Sequence, residues 1–289
     1  MFVKENTLSA IKDYFFTSLS EVYPEREVES FFFILCDYFL SFSRIEVRTN
    51  ENKNLSESEL LKFHYAIKDL ISFKPIQQII GQQYFYDNVF SVSSHTLIPR
   101  PETEELVDLI VKENSGFEGR ILDIGTGTGA IAISLDLAIS GSSVVAFDVS
   151  KKAIETALEN KNRLDSEVEF VVHDILKPPY KGDNFDIIVS NPPYVMNQEM
   201  EEMQSNVLDY EPHLALFVED EDPLLFYKEI VKFSTQFLNK NGKLYFEINE
   251  KFGAETADLL RANDFVYVEV VKDLNGKDRI VKGNKKHEK

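Results

Sequence analysis

Four consecutive residues, Asn191-Pro192-Pro193-Tyr194, combine hydrogen-bond acceptors with an aromatic ring. They follow Phe185 to Ser190, an apolar run that is typical of a buried strand. Two successive prolines remove two backbone donors and fix both φ angles, so the strand must end there and nearby carbonyls stay free to accept. Asn191 adds a side-chain acceptor and Tyr194 an aromatic face. A simple turn does not need this combination, and we interpret it as a ligand-binding segment.

A second segment that could bind a ligand, residues 123–129, lies at the end of another apolar run and leads directly into a helical pattern. Glycines at alternate positions allow the backbone to approach a ligand and turn sharply. Such a turn alone also fits a structural tight turn or a dinucleotide site. The next strand ends at Asp148, about where an acidic residue can accept hydrogen bonds from ribose hydroxyls, which favours ligand binding. The candidate residues in the turn are Asp123, Gly125, Thr126, Gly127, Thr128 and Gly129.

The spacing and the charge of this turn limit the class of ligand that it could bind. The pattern is Gly-x-Gly-x-Gly, which differs from the Gly-x-Gly-x-x-Gly of dinucleotide sites, and Asp123 would repel a pyrophosphate. An acidic residue there better suits a ligand that carries an ammonium or sulfonium group. The segment resembles the first motif of class I methyltransferases, which bind S-adenosylmethionine. This resemblance implies that Asp174 meets the adenine edge and Ile175 forms an adenine wall, although Asp174 also fits a simple helix cap.

The chain around these residues is predicted to form a helical region, a hairpin linker and an α/β region. Residues 1–81 show helical periodicity, with an apolar run from Ser30 to Arg44 and a capping-box pair at Ser56 and Glu59, and they predict a small helical bundle. Residues 82–98 predict a β-hairpin linker, because aromatic and β-branched residues flank the turn-forming pair Asp87-Asn88.

Residues 99–283 alternate short apolar strands with helical stretches, a pattern that predicts an α/β fold with a parallel sheet covered on both faces. Ligands bind such sheets at the carboxyl ends of the strands, where both candidate segments lie. The methyltransferase resemblance implies a Rossmann-like, mostly parallel seven-stranded sheet. The residues from Lys282 onward are mostly polar and predict a frayed end, with residues 284–289 as a flexible tail.

Composition excludes several classes of protein. The 289 residues include 49 acidic and 31 basic side chains, a formal net charge of -18, which disfavours a broad grip on nucleic-acid phosphates. A single cysteine, Cys36, and histidines without metal-ligand spacing indicate no metal site. With no membrane span or signal peptide in the pattern, we expect a soluble, cytoplasmic protein.

The Asn-Pro-Pro-Tyr segment resembles that of methyltransferases acting on a planar nitrogen: adenine N6, cytosine N4 or the glutamine side-chain amide. The lone pair of such a nitrogen is delocalised, and methyl transfer builds positive charge on it. The resemblance implies that the Asn191 oxygen and the Pro192 carbonyl accept its two N–H bonds and stabilise that charge. Tyr194 would stack on the planar group, with Pro193 completing the substrate site. No strong general base is required, because the methylated nitrogen becomes acidic.

Further segments are similar to landmarks of the HemK/PrmC family of N5-glutamine methyltransferases. They are Lys74–Gly81, Leu97–Glu104, Tyr210-Glu211-Pro212 and Asp273–Arg279. The resemblance implies a substrate glutamine in the Gly-Gly-Gln loop of class 1 peptide chain release factors, S-adenosylmethionine as cofactor, and a monomer whose N-terminal bundle docks the substrate protein. We assign Arg100 no chemical role, and Tyr210-Glu211-Pro212 fits a lid or a substrate-side loop.

Three alternatives stay open. A ribosomal protein could supply the glutamine to the same catalytic motif, with a different docking domain. An adenine-N6 methyltransferase of DNA or RNA would flip its base into the same pocket, but the net charge of -18 and the lack of an evident basic recognition domain count against it. A non-enzymatic protein that keeps the cofactor fold is disfavoured by the intact Asn191-Pro192-Pro193-Tyr194.

Overall fold

The computed structural model describes residues 3–177 and 180–286, and the chain divides into two compact units. The first unit comprises residues up to Gly81 together with Gln204–Tyr210, and the second comprises Gln82–Met203 and the chain from Glu211 onward. No helix within the described ranges is both long and apolar enough to cross a lipid bilayer.

The helices and strands occur in the following order along the chain. The α-helices are α1 (Leu8–Leu19), α2 (Glu25–Leu40), α3 (Arg44–Thr49), α4 (Glu57–Ile71), α5 (Ile76–Ile80), α6 (Pro101–Glu113), α7 (Ala130–Ala138), α8 (Lys151–Leu164), α9 (Ser205–Leu208), α10 (His213–Leu216), α11 (Leu225–Phe237) and α12 (Gly253–Ala262). The strands are β1 (Gln82–Phe85), β2 (Asn88–Ser91), β3 (Arg120–Ile124), β4 (Ser143–Asp148), β5 (Glu169–Val172), β6 (Phe185–Ser190), β7 (Val195–Met196), β8 (Phe217–Val218), β9 (Leu238–Glu247), β10 (Phe265–Lys272) and β11 (Asp278–Lys285).

Helices α1 to α5 of the first unit enclose an aromatic core. Phe15, Phe32 and Phe63 are fully buried, and their ring centroids lie 5.4 Å (Phe15–Phe32) and 5.8 Å (Phe32–Phe63) apart. Helix α2 ends at Leu40, before the predicted end at Arg44, because Ser41 adopts a left-handed conformation with φ 55°. A separate helix, α3, then begins behind a capping box formed by Ser43 and Glu46. The sequence analysis extended α2 too far and did not predict α3.

The hairpin is present, but its turn lies one residue earlier than the sequence indicated. Asn88 pairs with Phe85 in the ladder, so Tyr86 and Asp87 form the two-residue turn. Both have positive φ, 44° and 62°, the conformation that a tight hairpin turn requires. Asn88 Nδ2 donates to the Tyr86 carbonyl at 2.9 Å, which stabilises the turn from the strand side.

The second unit contains a seven-stranded sheet in the order β10-β11-β9-β6-β3-β4-β5. Strands β5, β4, β3, β6 and β9 pair in parallel, and β11 is antiparallel to both β9 and β10. Successive residues of β3 face opposite cores: Ile121 packs with α6 and α7, and Leu122 packs with α11 and α12. Helices therefore cover both faces, and the predicted α/β, mostly parallel fold is confirmed.

The frayed end predicted from Lys282 is wrong for residues 282–285. These residues belong to β11, which lies between β9 and β10 and pairs with both. Lys282 Nζ meets Glu269 at 3.0 Å, and Lys285 Nζ donates to the Thr235 and Leu238 carbonyls at 2.8 and 2.7 Å. Backbone pairing on both sides overrides the polar composition, because the lysine stems pack while their ammonium groups find acceptors. Residues 287–289 lie outside the described residues.

Replacing the N-cap residue of α4 tests how much its capping box stabilises the protein. Ser56 accepts from the Glu59 backbone N–H at 3.3 Å, and the Glu59 carboxylate accepts from the Ser56 N–H at 2.7 Å. Ser56→Ala should lower the free energy of unfolding by about 1 kcal/mol, because it removes one half of this capping box. Urea unfolding of the full chain measures the change. Ser58→Ala, at an exposed position in the same turn, should change it by less than about 0.5 kcal/mol; equal losses would contradict the capping role.

Candidate active site

The two motifs meet because β3 and β6 pair in parallel and in register. Ile124, the last residue of β3, lies opposite Ser190, the last residue of β6. Ser190 Oγ donates to the Ile124 carbonyl at 2.6 Å and ties the two strand ends together. The glycine turn and the Asn-Pro-Pro-Tyr segment therefore begin side by side. The chain order reverses between these two strands, which is where ligands bind in sheets of this type.

The glycine turn owes its path to backbone conformations that other residues adopt poorly. Gly125, Gly127 and Gly129 have φ values of 81°, 56° and 81°. A Cβ on Gly127 would meet nothing within 4 Å, so this backbone faces open space. A Cβ on Gly129 would lie 3.0 Å from atoms of Ile133 and Phe170, so the absence of a side chain lets the start of α7 pack closely.

A cavity of about 200 Å³ lies at the carboxyl edge of the sheet. It brings together most of the predicted ligand-binding residues: Gly125, Gly127, Asp148, Asp174, Ile175, Asn191, Pro192 and Pro193. Four of the predicted cofactor-binding residues, Asp123, Thr126, Thr128 and Gly129, do not line it. Thr128, for example, is buried, and its carbonyl accepts from Asn160 Nδ2 at 2.9 Å.

Asp148 holds the glycine turn in place. Its Oδ2 accepts from the Gly127 N–H at 2.9 Å and its Oδ1 from the Ser150 N–H at 2.8 Å. Burial raises the pKa of its carboxyl, and these backbone donors oppose the shift. Each carboxylate oxygen has a further lone pair. Asp148 can therefore bind hydroxyl donors in the cavity while it orders the turn.

Asp123 is a fully buried carboxyl beneath the turn. Burial, with a smaller contribution from the Asp148 carboxylate, raises its pKa to about 7, while the Thr126 hydroxyl and the Ala132 backbone N–H oppose the shift. A negative charge at this depth favours a cationic group nearby and disfavours a pyrophosphate. Asp123 does not line the cavity, so a charge on it would act there through its electric field.

Asp174 caps a turn and also lines the large cavity, so its position is compatible with both of the roles that the sequence left open. Its Oδ1 accepts from the Leu176 N–H at 3.0 Å, which caps a turn, and its Oδ2 lies 3.0 Å from Lys177 Nζ. The hydrogen bond from Lys177 lowers the pKa of this carboxyl, so it is ionised at neutral pH. Both Asp174 and Ile175 line the large cavity. Phe226 and Ile230 of α11 add further apolar wall.

A smaller cavity of about 60 Å³ adjoins the large one. Tyr194 and Arg100 line only this smaller cavity, whereas Asn191 and Pro192 line both. Asn191 thus lies at the junction between a larger and a smaller binding space. Glu211, which is 4% exposed, pairs with the Arg100 guanidinium and accepts from the Ile98 N–H at 3.0 Å, so it fixes the wall that precedes α6.

A buried carboxyl, Glu247 at the end of β9, connects to the Asn-Pro-Pro-Tyr segment. Tyr194 Oη donates to Glu247 Oε1 at 3.1 Å, and Thr103 Oγ1 donates to Oε2 at 2.7 Å. Asn191 Nδ2 donates in turn to Thr103 Oγ1 at 3.2 Å. Burial raises the pKa of Glu247, while these hydrogen bonds and the charge of Arg279 oppose the shift. Burial also raises the pKa of the Tyr194 hydroxyl, which stays a donor.

Sequence reasoning missed Thr103, Glu247 and the structural role of Arg100. Glu247 had a usable signal, since it ends a predicted strand at the same edge as the other candidates. Thr103 had none, because it lies 144 residues from Glu247 along the chain and looks like an ordinary first-turn helix residue. Within the described residues, no group of three or more His, Cys, Asp or Glu side chains could hold a metal ion.

This sheet order, with a glycine turn and a row of acceptors at its carboxyl edge, defines a class I methyltransferase fold. Residues 92–209 match the methyltransferase small domain family. A methyltransferase from Pyrococcus furiosus, 18% identical, superposes with a TM-score of 0.51 over 80% of this chain and all of that chain, which supports the fold alone.

Two relatives extend over nearly the whole chain. The release factor glutamine methyltransferase of Flavobacterium psychrophilum is 45% identical over 281 residues, which cover 95% of this chain and 99% of the relative. The release factor glutamine methyltransferase of Bacteroides thetaiotaomicron is 43% identical, with 96% and 100% covered. The chain belongs to the HemK/PrmC family of release factor glutamine methyltransferases.

Asp123 makes a testable contribution to the pH dependence of stability. Its folded-state pKa of about 7 lies above the ordinary aspartate value of 3.8, so its contribution to stability is greatest below pH 3.8 and is lost as the pH rises through about 7. Asp123→Asn removes this ionisation. The stability of the variant relative to the unmodified protein should therefore improve by about 2 to 4 kcal/mol between pH about 4 and pH about 8.

Chemical unfolding of the cofactor-free protein at a series of pH values measures this difference. Asp13→Asn, which removes an exposed carboxylate on α1, is the matched control and should show little pH-dependent change. A constant offset between Asp123→Asn and the unmodified protein at every pH would show that Asp123 does not titrate abnormally.

Proposed function

We propose that this protein transfers a methyl group from S-adenosylmethionine to the side-chain amide nitrogen of the glutamine in the Gly-Gly-Gln motif of class 1 peptide chain release factors. The observation that carries the proposal is the position of Asn191 and Pro192 at the junction of the two cavities. Full-length similarity to relatives named for this activity supports the choice of substrate.

The large cavity fits S-adenosylmethionine in its chemistry. We assign Gly125, Gly127 and Asp148 to the turn side of the cofactor, and Asp174 and Ile175 to its adenine end. The buried carboxyl of Asp123 and the ionised Asp174 suit a ligand with positive charge and amino groups rather than one with a pyrophosphate. When bound, S-adenosylmethionine supplies an electrophilic methyl group on a sulfonium sulfur.

The Asn-Pro-Pro-Tyr segment holds the nucleophile in this proposal. Asn191 Oδ1 and the Pro192 carbonyl accept the two N–H bonds of the glutamine amide, which orients its nitrogen toward the larger cavity. Positive charge grows on that nitrogen during transfer, and both acceptors become stronger partners as it does. The Tyr194 ring lines the smaller cavity and packs against the planar amide.

Proton removal needs no buried base in this scheme. The methylated amide nitrogen is acidic enough to lose one proton to water after transfer. Glu247, a buried carboxyl that contacts Tyr194, already accepts from Thr103 and Tyr194 through both of its oxygens, which fits a holding role better than proton abstraction.

The proposal extends to the organisation of the chain. We assign docking of the release factor to residues 1–81, linkage to the hairpin of residues 82–98, and catalysis to residues 99–283, in a monomeric cytoplasmic protein. The formal net charge of -18 supports a protein substrate over direct nucleic-acid binding.

Methyl incorporation from labelled S-adenosylmethionine tests the substrate. The purified release factor should accept label, whereas a copy with the Gly-Gly-Gln glutamine changed to Ala should not, because it lacks the reacting amide. A ribosomal-protein mixture and unmethylated DNA complete the assay. Label confined to the intact release factor supports the proposal; label only in ribosomal protein or only in DNA would overturn the substrate and leave methyl chemistry in place.

Asn191→Ala tests the catalytic assignment. The variant should lose at least about 100-fold in kcat, because it removes an acceptor that strengthens as charge develops. Its affinity for S-adenosylmethionine, measured by calorimetry, should change by no more than about threefold, since most of the cofactor cavity is unaltered. Asn162→Ala, on an exposed part of α8, is the matched control. Retained transfer in Asn191→Ala would contradict the role given to this side chain.

A further inference from the structure

The orientation of the Asn191 side chain is the feature on which the proposed chemistry depends. An asparagine amide presents an acceptor oxygen on one side and a donor NH2 on the other, in nearly the same shape. Packing alone therefore distinguishes the two orientations poorly, and hydrogen-bond partners must decide between them. Only one orientation directs an acceptor at the N–H bonds of a substrate amide.

The partner of Asn191 has a fixed polarity. Thr103 Oγ1 lies 2.7 Å from Glu247 Oε2 and 3.2 Å from Asn191 Nδ2. Both oxygens of Glu247 accept hydrogen bonds, Oε1 from the Tyr194 hydroxyl and Oε2 from Thr103, so the single hydroxyl proton of Thr103 is directed at Glu247. The Thr103 oxygen then has only lone pairs to offer Asn191. The Asn191 NH2 must face Thr103, and its Oδ1 must face away.

The second oxygen of Glu247 is also committed to the same segment. Tyr194 Oη donates to Oε1 at 3.1 Å, so one buried carboxyl contacts Tyr194 directly and is linked to Asn191 through Thr103. Glu247 is 1% exposed and lies in β9, which pairs with β6 and brings Phe246 opposite Ser190. Its position is therefore set by the sheet and not by a loop.

We propose that Glu247 is a positioning residue that acts through Thr103 to hold the Asn191 amide with its oxygen directed at the substrate nitrogen. This inference rests on the proposed methyl transfer and adds to it the device that sets the polarity of the acceptor. Glu247 and Thr103 do not touch the reacting atoms in this arrangement. They determine which of two nearly isosteric states of Asn191 is populated.

A hydroxyl-specific pair of variants tests the inference. Thr103→Val keeps the side-chain shape but removes the group that links Glu247 to Asn191. It should lower kcat about tenfold, the effect of one hydrogen bond of ordinary net strength on a rate, with KM for S-adenosylmethionine unchanged. Thr103→Ser keeps the hydroxyl and should retain activity within about twofold. Thr256→Val removes another buried hydroxyl, on α12, and should leave kcat unchanged.

Glu247→Gln tests the carboxylate itself. A glutamine amide can donate to Thr103, whose proton is then free to reach Asn191 Oδ1 and stabilise the inverted orientation. The kcat of this variant should also fall by about tenfold. The far-ultraviolet circular dichroism and the affinity for S-adenosylmethionine should stay those of the unmodified protein, which separates misorientation from unfolding.

The side-chain amide resonances of Asn191 give a readout that does not depend on activity. Asparagine-selective 15N labelling, with the resonance assigned by its loss in Asn191→Asp, should show a shift in Thr103→Val and Glu247→Gln but not in Thr103→Ser. Unchanged resonances and kcat in Thr103→Val would overturn the inference, as would equal losses in Thr103→Ser and Thr103→Val. An unmodified protein that fails to methylate release factor would overturn the proposed function, while the resonances would still decide the role of Glu247.

Discussion

The parallel pairing of β3 with β6 is the constraint on which the site depends. These strands are separated by 60 residues of chain and two intervening strands, yet Ile124 and Ser190 lie side by side. The glycine turn and the Asn-Pro-Pro-Tyr segment leave the sheet from these two positions. A shift of one residue in this register would move every side chain of β6 to the opposite face, and Asn191 would no longer meet both cavities.

Buried acidic groups give the site its electrostatic character. Asp123 lies under the glycine turn, and Asp148 accepts a hydrogen bond from the Gly127 N–H of that turn. Glu247 accepts a hydrogen bond from Tyr194 of the Asn-Pro-Pro-Tyr segment. Each has a pKa raised by burial, so each charge is held at a cost. Asp148 and Glu247 offset this cost through hydrogen bonds that also fix a functional segment. Asp123 is fully buried beneath the turn, and a negative charge there fits a site that binds positive charge.

Aromatic rings are set among aliphatic side chains in the cores of both units. Phe15, Phe32 and Phe63 meet in the helical unit, and Phe147 meets Phe185 and Phe233 on one face of the sheet. Capping boxes at Ser43 and Ser56 define where helices begin, because an unsatisfied backbone N–H there would cost stability. Tyr210, far along the chain, donates to the Ser72 carbonyl at 2.6 Å and belongs to this unit.

The local elements and the residues with the strongest chemical signatures could be predicted from the sequence alone. Strand and helix alternation, the glycine turn and Asn191-Pro192-Pro193-Tyr194 were all readable, because backbone restriction by glycine and proline and the period of apolar residues act over a few neighbours. The place of polar β11 inside the sheet, and the meeting of Thr103 and Glu247 beside Asn191, are visible only in the folded chain. Strand pairing and hydrogen bonds between residues far apart in the chain leave no periodic signal in the sequence, because they are specified by how the elements pack and not by neighbouring residues.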